Sequence, residues 1–383
     1  MMIKALYVHI PFCLTKCNYC DFSSYSLPVC ESTKKGRVEA YLLALKQEFS
    51  LLLKEVSLDE VETLYMGGGT PTILDTEQLV TFMEFIKPQL NFSKIQEVTI
   101  EANPGTVSFE KLLALKEVGF NRISIGIQSL DNSLLEFMGR AHNADDAVSA
   151  VQMAREAGWQ NINVDLIYGL PRQTMAIWED TLTKVIQLNT DHISSYGLKI
   201  EDNTPWSKDY SNGQITLPED ETVNKMYEKL RKILKDNGYL HYEISNYCRA
   251  QKASKHNSIY WRNEYYLGIG SGAASFYNGQ RFYNTKNIDI YIDNLTKDLR
   301  PLEEVIELTL EDQISETMFM RLRLLSGVSI KDFKKRFGMS PIDKYYSEIE
   351  KLLGMELIHL EGDVIRLTDK GIPLANLVFM EFI

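Results

Sequence analysis

Six times between residue 5 and about residue 200, a short run of strand-forming residues gives way to polar or glycine residues and then to a stretch with helical spacing. The strand candidates are ALYVHI (5–10), ETLYMGG (62–68), EVTIEAN (97–103), RISIGIQ (122–128), NINVDLIYG (161–169) and HISSYGL (192–198). Between them, stretches such as RVEAYLLALKQEFSLLLKEV, TEQLVTFMEFIKPQL, SFEKLLALKEVG and DDAVSAVQMAREAG repeat apolar residues every three or four positions. Strands read as near-continuously apolar, alternating with amphipathic helices, imply βα units around a parallel sheet. Six units predict an α/β fold with a partial or complete barrel rather than an open sheet. Chemistry in such folds gathers at the C-terminal ends of the strands. The segments to watch are therefore the loop after residue 10, Gly67 to Pro71, Glu101 to Pro104, Gln128 with Ser129, Asp165 to Pro171, and Tyr196 with Gly197.

Past residue 210 the rhythm changes. A long helical pattern, PEDETVNKMYEKLRKILKDNG, leads to YLHYEISNYCR and then to a polar, aromatic stretch around KHNSIYWRNEYYLGIGSGAASFYNG. From about 305, helical patterns precede two short strand candidates, LIHLEG and VIRLTDKG, an order that resembles a winged-helix module. The expected division is a barrel core at 1–205, an extension of that barrel at 206–300 and a C-terminal helical, winged-helix-like domain at 301–383, covering the barrel's open side.

Asp and Glu outnumber Lys and Arg by 52 to 41, for a formal charge of −11. That balance repels polyphosphate and argues against nucleic-acid binding. The small basic cluster Lys331, Lys334, Lys335 and Arg336 reads as a solvated helix face rather than a DNA reader. The N-terminus carries no secretory pattern and no apolar run is long enough to span a bilayer, so a cytoplasmic location is expected.

Three of the five cysteines, Cys13, Cys17 and Cys20, fall within eight residues, while Cys30 and Cys248 stand alone and read as bystanders. In a reducing compartment such a cluster points to metal or redox chemistry. Zinc sites usually need a second CxxC or CxxH pair, and there is none. Three thiolates on one loop suit three corners of a [4Fe–4S] cube, with the fourth iron left for a non-protein ligand. Gly67 to Pro71 (GGGTP) is a place where backbone approaches a small polar group closely. Glu101 and Asp165 offer single carboxylates, Gln128 and Arg140 extend the polar lining, and Tyr7 and Tyr19 flank the cysteines.

CLTKCNYC resembles the signature of the radical S-adenosylmethionine (SAM) superfamily. The resemblance implies a radical-SAM (β/α)6 partial barrel, a [4Fe–4S] cluster on Cys13, Cys17 and Cys20, and SAM chelating the open iron, to be cleaved to a 5′-deoxyadenosyl radical. It assigns Tyr7, Tyr19, Gly68, Gly69, Thr70, Glu101, Gln128, Arg140 and Asp165 to the surroundings of SAM. YVHIPFC, GGGTPT, IEANPG, NRISIGIQS, NVDLIYGLPRQT and LTDKGIPLAN are similar, in the same order, to segments of the oxygen-independent coproporphyrinogen III oxidase family and its relatives.

Two departures separate the chain from the oxidases themselves. Phe22 stands where their C-x3-C-x2-C-x-C motif has a fourth cysteine, and Cys13 follows almost at once on the N-terminus instead of on a long leading segment. HNSIYW instead resembles the H-N-x-x-Y-W motif of the related heme-chaperone group: His256, Asn257, Tyr260 and Trp261. Histidine is a good axial ligand for heme iron, and aromatic neighbours pack on a porphyrin face. That resemblance implies heme bound at or near His256, delivery to acceptor proteins, and a reductant such as flavodoxin or ferredoxin. The alternatives are conversion of coproporphyrinogen III to protoporphyrinogen IX and, more weakly, a DNA-binding regulator.

Overall fold

The computed structural model describes residues 2–27 and 31–383, so Cys30 lies outside the described residues. The six expected strands form as β1 (Ala5–Ile10), β2 (Thr63–Gly68), β3 (Glu97–Ala102), β4 (Arg122–Gln128), β5 (Ile162–Tyr168) and β6 (His192–Gly197). They pair in parallel in chain order, as βα crossovers require. Six further strands join the same sheet: β7 (Leu240–Glu243), β8 (Asn246–Cys248), β9 (Tyr266–Ile269), β10 (Ala274–Tyr277), β11 (Gln280–Asn284) and β12 (Leu302–Glu307). The full order is β12-β11-β10-β9-β1-β2-β3-β4-β5-β6-β8-β7. β9 is parallel to β1, and the strands beyond it are antiparallel. The result is a partial α/β barrel with an antiparallel extension at each edge.

The α-helices among the described residues are α1 (Glu31–Glu55), α2 (Thr76–Ile86), α3 (Phe109–Val118), α4 (Asn132–Phe137), α5 (Ala144–Glu156), α6 (Met175–Gln187), α7 (Pro205–Ser211), α8 (Asp220–Asp236), α9 (Lys255–Trp261), α10 (Ile288–Thr296), α11 (Leu310–Leu322), α12 (Ile330–Phe337), α13 (Pro341–Lys344), α14 (Tyr346–Gly354) and α15 (Ala375–Met380). Their starts follow local chemistry. Asn143 and Asp146 form a capping box at α5, and Ser108 and Thr174 accept backbone N–H groups at α3 and α6. None of the described helices is long and apolar enough to cross a membrane.

The strands are not near-continuously apolar; they alternate. Leu6, Val8, Ile10, Leu64, Met66, Val98, Ile100, Ile123, Ile125, Val164 and Ile193 pack outward against the helices in one core with Phe49, Phe82, Leu112 and Trp178. Each such buried side chain contributes roughly 1.5–3 kcal/mol. The intervening residues, Tyr7, His9, Thr63, Tyr65, Glu97, Thr99, Glu101, Arg122, Ser124, Asn163, Asp165, His192 and Ser194, share the opposite, inner face. A short-radius barrel has room inside for side chains, and here they are polar and for the most part hydrogen-bonded, with Thr99 Oγ1 and Arg122 Nε buried without a partner. Glu48 of α1 locks one edge: its carboxylate accepts from Gly270 N (2.7 Å), Tyr291 OH (2.6 Å) and Asn284 Nδ2 (2.6 Å).

Beyond the main sheet, β13 (Val328–Ser329), β14 (Ile358–Glu361) and β15 (Val364–Leu367) make a small antiparallel sheet in the order β13-β15-β14. This region meets the barrel at α9. Arg336 Nη2 donates to Asn263 O (2.9 Å) and Asn263 Nδ2 to Thr317 Oγ1 (3.1 Å), so one of the four basic residues of α12 caps the end of the motif helix instead of lying in solvent.

Candidate functional site

The cysteine loop leaves β1 at its C-terminal end. Residues 12–13 pair in parallel with 25–26, so the loop returns on itself. Tyr25 N–H donates to Pro11 O (2.7 Å) and Leu27 N–H to Cys13 O (3.0 Å). Asn18 pins the loop's tip: its N–H and Nδ2 donate to Met138 O and Phe137 O, both at 3.1 Å, and its carbonyl accepts from Trp206 N. The loop is thus clamped between the end of α4 and the start of α7 without using a single sulfur. Cys13, Cys17, Cys20 and Cys248 are all free thiols.

Two of the sulfurs have protein donors of their own. Thr70 Oγ1 donates to Cys13 Sγ (3.6 Å) and Arg140 Nη1 to Cys17 Sγ (3.4 Å). These donors are joined to each other by Asn103, whose Nδ2 donates to Thr70 Oγ1 (2.9 Å) and whose Oδ1 accepts from Arg140 Nη2 (2.5 Å). Arg140 also donates to Gly126 O (2.7 Å), while its Nε is buried without a partner. Burial pushes the Cys13 thiol up against the opposing Thr70 hydroxyl, and pushes Cys20 up against the Phe22 amide.

No three His, Cys, Asp or Glu among the described residues converge as they would around a single ion. Thiols spread along one loop, with separate donors on two of the sulfurs, fit a cluster in which each thiolate takes its own iron. Phe22, where the oxidase family carries a further cysteine, is 61% exposed.

The three glycines at the C-terminal end of β2 are each required by a different neighbour. A Cβ on Gly67 would lie 2.8 Å from Glu101 Cδ, one on Gly69 2.6 Å from Phe12 O, and one on Gly68 (φ +111°) 2.4 Å from His9 Cε1. His9 is itself a strut: Nδ1 is hydrogen-bonded to Tyr7 OH (3.0 Å) and Nε2 to Ser23 O in the cysteine loop (2.8 Å). The glycine run therefore presses β2 onto the cysteine loop on one side and onto Glu101 on the other.

Glu101 and Asp165 stand within β3 and β5, on the inner face, and not in the loops after them. Glu101 Oε1 accepts from Tyr65 OH (2.7 Å) and Oε2 from Gly68 N (3.0 Å). Burial raises its carboxyl to about 7, with those two donors acting the other way. Asp165 accepts from Ser124 Oγ (3.0 Å) and Asn163 Nδ2 (2.8 Å), and burial raises it as well. Gln128 ends β4 at φ +61°, beside a break in register, and a Cβ on Gly126 would lie 2.8 Å from its amide nitrogen. Tyr19 packs on Trp206, ring centroids 5.7 Å apart.

Cys13, Cys17, Cys20, Thr70, Gly68, Gly69, Glu101, Gln128 and Arg140 are thus joined at the C-terminal ends of the strands. His256 is not among them. It lies in α9 at the opposite end, where Glu97, the first residue of β3, accepts from the N–H groups of Lys255 (2.9 Å) and His256 (3.0 Å). Its ring is 1% exposed with both nitrogens engaged, Nδ1 with Thr63 Oγ1 and Nε2 with Tyr260 OH, each at 2.8 Å. Burial, assisted by Arg122, lowers it to about 3, so the imidazole is neutral.

Sequence reasoning named none of Asn103, His9 and Tyr65 as a site residue, although Asn103 falls within the watched segment 101–104. His9 and Tyr65 were detectable from period-two polarity on β1 and β2. Asn103 carried no such signal, since Asn before Pro-Gly reads as turn chemistry.

Residues 7–185 match the family model described as the radical SAM superfamily, and residues 308–374 match the HemN C-terminal domain. The chain is 38% identical over 382 residues to the heme chaperone HemW of Bacillus subtilis, covering all of this chain and 99% of that one. It is 37% identical to heme chaperone HemW of Lactococcus lactis, covering 99% and 97%. A mouse mitochondrial radical S-adenosyl methionine domain-containing protein 1 is 30% identical over 97% of this chain and 85% of its own. Among solved structures, the radical SAM enzyme coproporphyrinogen III oxidase HemN of Escherichia coli superimposes with a TM-score of 0.84 at 24% identity, covering all of this chain and 90% of that one.

Proposed function

Because the chain belongs to the heme chaperone HemW family of radical SAM proteins, we propose that it is a cytoplasmic heme chaperone that carries a [4Fe–4S] cluster and SAM and passes heme to acceptor proteins. The observation that carries the reading is full-length similarity to HemW in a chain with Phe22 in place of a fourth cysteine.

Cys13, Cys17 and Cys20 are the proposed cluster ligands, with Thr70 and Arg140 donating to two of their sulfurs. When bound, the cluster and SAM supply one-electron chemistry; the chain's own residues bind, orient and shield. Gly68, Gly69 and Thr70 bring backbone against the cofactor's methionine end. The unpartnered Arg140 Nε is left for a carboxylate. Glu101, Gln128 and Asp165 accept from amino and ribose groups, and Tyr7 and Tyr19 close the flanks.

Heme iron reaching His256 Nε2 must first displace Tyr260. The heme-ligand assignment therefore entails a local opening of α9. A reductant such as flavodoxin or ferredoxin is the proposed electron source for the cluster.

Two oxygen-free measurements test the function. Reconstituted protein given reductant, SAM and coproporphyrinogen is expected to form no protoporphyrinogen; turnover would support the oxidase alternative. Heme titration is expected to show saturable binding that His256→Ala weakens with a changed spectrum, whereas an unchanged affinity and spectrum would remove His256 as ligand.

A further inference from the structure

We propose that His256 and Tyr260 of the motif helix are positioning residues for Glu101, acting through the ring of Tyr65 from the opposite end of the barrel. The inference rests on the reading that Glu101 faces SAM, and goes beyond it by tying the HNxxYW motif to that site.

The connection runs in three contacts. The His256 ring lies on the Tyr65 ring, centroids 5.0 Å apart and planes 33° apart. Tyr65 OH donates to Glu101 Oε1 at 2.7 Å. His256 is itself held on both nitrogens, by Thr63 Oγ1 and by Tyr260 OH, and Tyr260 is braced edge-on by Tyr266, centroids 4.5 Å apart. A neutral, fully bonded imidazole pressed on a phenol ring is a rigid support, because neither nitrogen is free to rotate toward another partner. Nothing else in this chain of contacts reaches Glu101: its second oxygen is taken by Gly68 N.

The ionisation of Glu101 is where support becomes measurable. The carboxyl sits at about 7, raised by burial and lowered by Tyr65 OH and Gly68 N. The other groups acting on it are Arg122 of β4 and Asp165 of β5, with the phenols of Tyr7 on β1, Tyr196 on β6 and Tyr260 on α9. Loosening the Tyr65 phenol weakens the bond to the ionised form. The carboxyl then rises further, and at neutral pH less of the protein carries the acceptor that SAM needs.

The test measures SAM binding by calorimetry against pH, with the carboxyl's own titration followed by difference infrared spectroscopy in the cluster-free protein. Tyr65→Phe, which keeps the ring and removes the hydroxyl, is expected to move the binding midpoint up by about one pH unit, weakening binding about tenfold on the acid side. His256→Ala and Tyr260→Phe are expected to move it in the same direction by a smaller step. Tyr260→Phe removes one hydroxyl only and carries the test where His256→Ala does not fold.

Wild-type midpoints in both motif variants, with lowered melting temperatures, would make the motif merely structural and overturn the proposal. Glu101→Gln separates the premise: if it leaves SAM binding intact, the reading of Glu101 fails; if it weakens binding while the motif variants do not shift the midpoint, only the positioning role fails.

Discussion

Serine at Cys13, Cys17 or Cys20 is expected to leave a folded protein unable to hold its cluster, with iron and sulfide per chain falling to about a tenth of wild type or less after anaerobic reconstitution. The loop's shape is set by backbone bonds, from Tyr25 to Pro11, Leu27 to Cys13 and Asn18 to the end of α4, none of which uses a sulfur. The fold should therefore survive, at a cost of about 1 kcal/mol for the one buried position, Cys13. What is lost is a soft ligand on a chain that supplies three in this loop, and a serine hydroxyl does not replace a thiolate. Cys248→Ser is the matched control. That thiol is buried where β8 pairs with β6, far along the chain from the loop, and its loss should leave iron and sulfide unchanged. Equal cluster content in the three loop variants would contradict the assignment.

Gly68→Ala is expected to be the most damaging single methyl group in the site. Its backbone sits at φ +111°, a conformation that L side chains rarely adopt, and its new Cβ would fall between 2.4 and 2.8 Å from three atoms of the His9 ring. His9 cannot swing aside cheaply, since Tyr7 OH and Ser23 O hold its two nitrogens. Backbone strain and overpacking each cost roughly 1–3 kcal/mol, so a loss of roughly 3 kcal/mol or more is expected, a large share of a typical folding stability. Movement of His9 or of β2 would also disturb Ser23 in the cysteine loop and the Gly68 N–H bond to Glu101. Denaturant unfolding and SAM binding read the two effects separately. Gly105→Ala, where the added methyl meets nothing within 4 Å, is expected to be close to neutral. A Gly68→Ala variant as stable as the Gly105→Ala one would show that the close approach is not real.

The parallel strands β1 to β6 were legible almost to the residue, because each run is bounded by Gly, Pro or Asn and most are separated by a helix long enough to show its period. That Cys13, Cys17 and Cys20 share one loop at the C-terminal end of β1 was legible from spacing alone. The inner face was not read, although its alternation was visible in GluValThrIleGlu at 97–101 and AsnValAsp at 163–165. Thr, Tyr and Ser suit strands as well as Val does, and a run containing them passes as apolar. Strands β9 to β12 have four to six residues each, and α9 has seven. Neither gives enough repeats for a period to emerge, so 206–300 was expected to extend the barrel but its strands could not be drawn from pattern. The bridge from Arg140 through Asn103 to Thr70 joins residues 37 and 33 positions apart, and only the fold brings them together. His256 was singled out by its motif, but a motif says nothing of burial, and the buried ring with two engaged nitrogens emerged only in three dimensions.

The central claim is that the cluster on Cys13, Cys17 and Cys20 keeps one iron for SAM. Electron paramagnetic resonance of the reduced, reconstituted protein, recorded with and without SAM carrying a magnetic label on its methionine carboxylate or amino group, tests it most directly. The account predicts a changed cluster spectrum and a coupling to the label that is absent from the serine variants. A fully loaded cluster whose spectrum ignores SAM, with no coupling to the label, would contradict it.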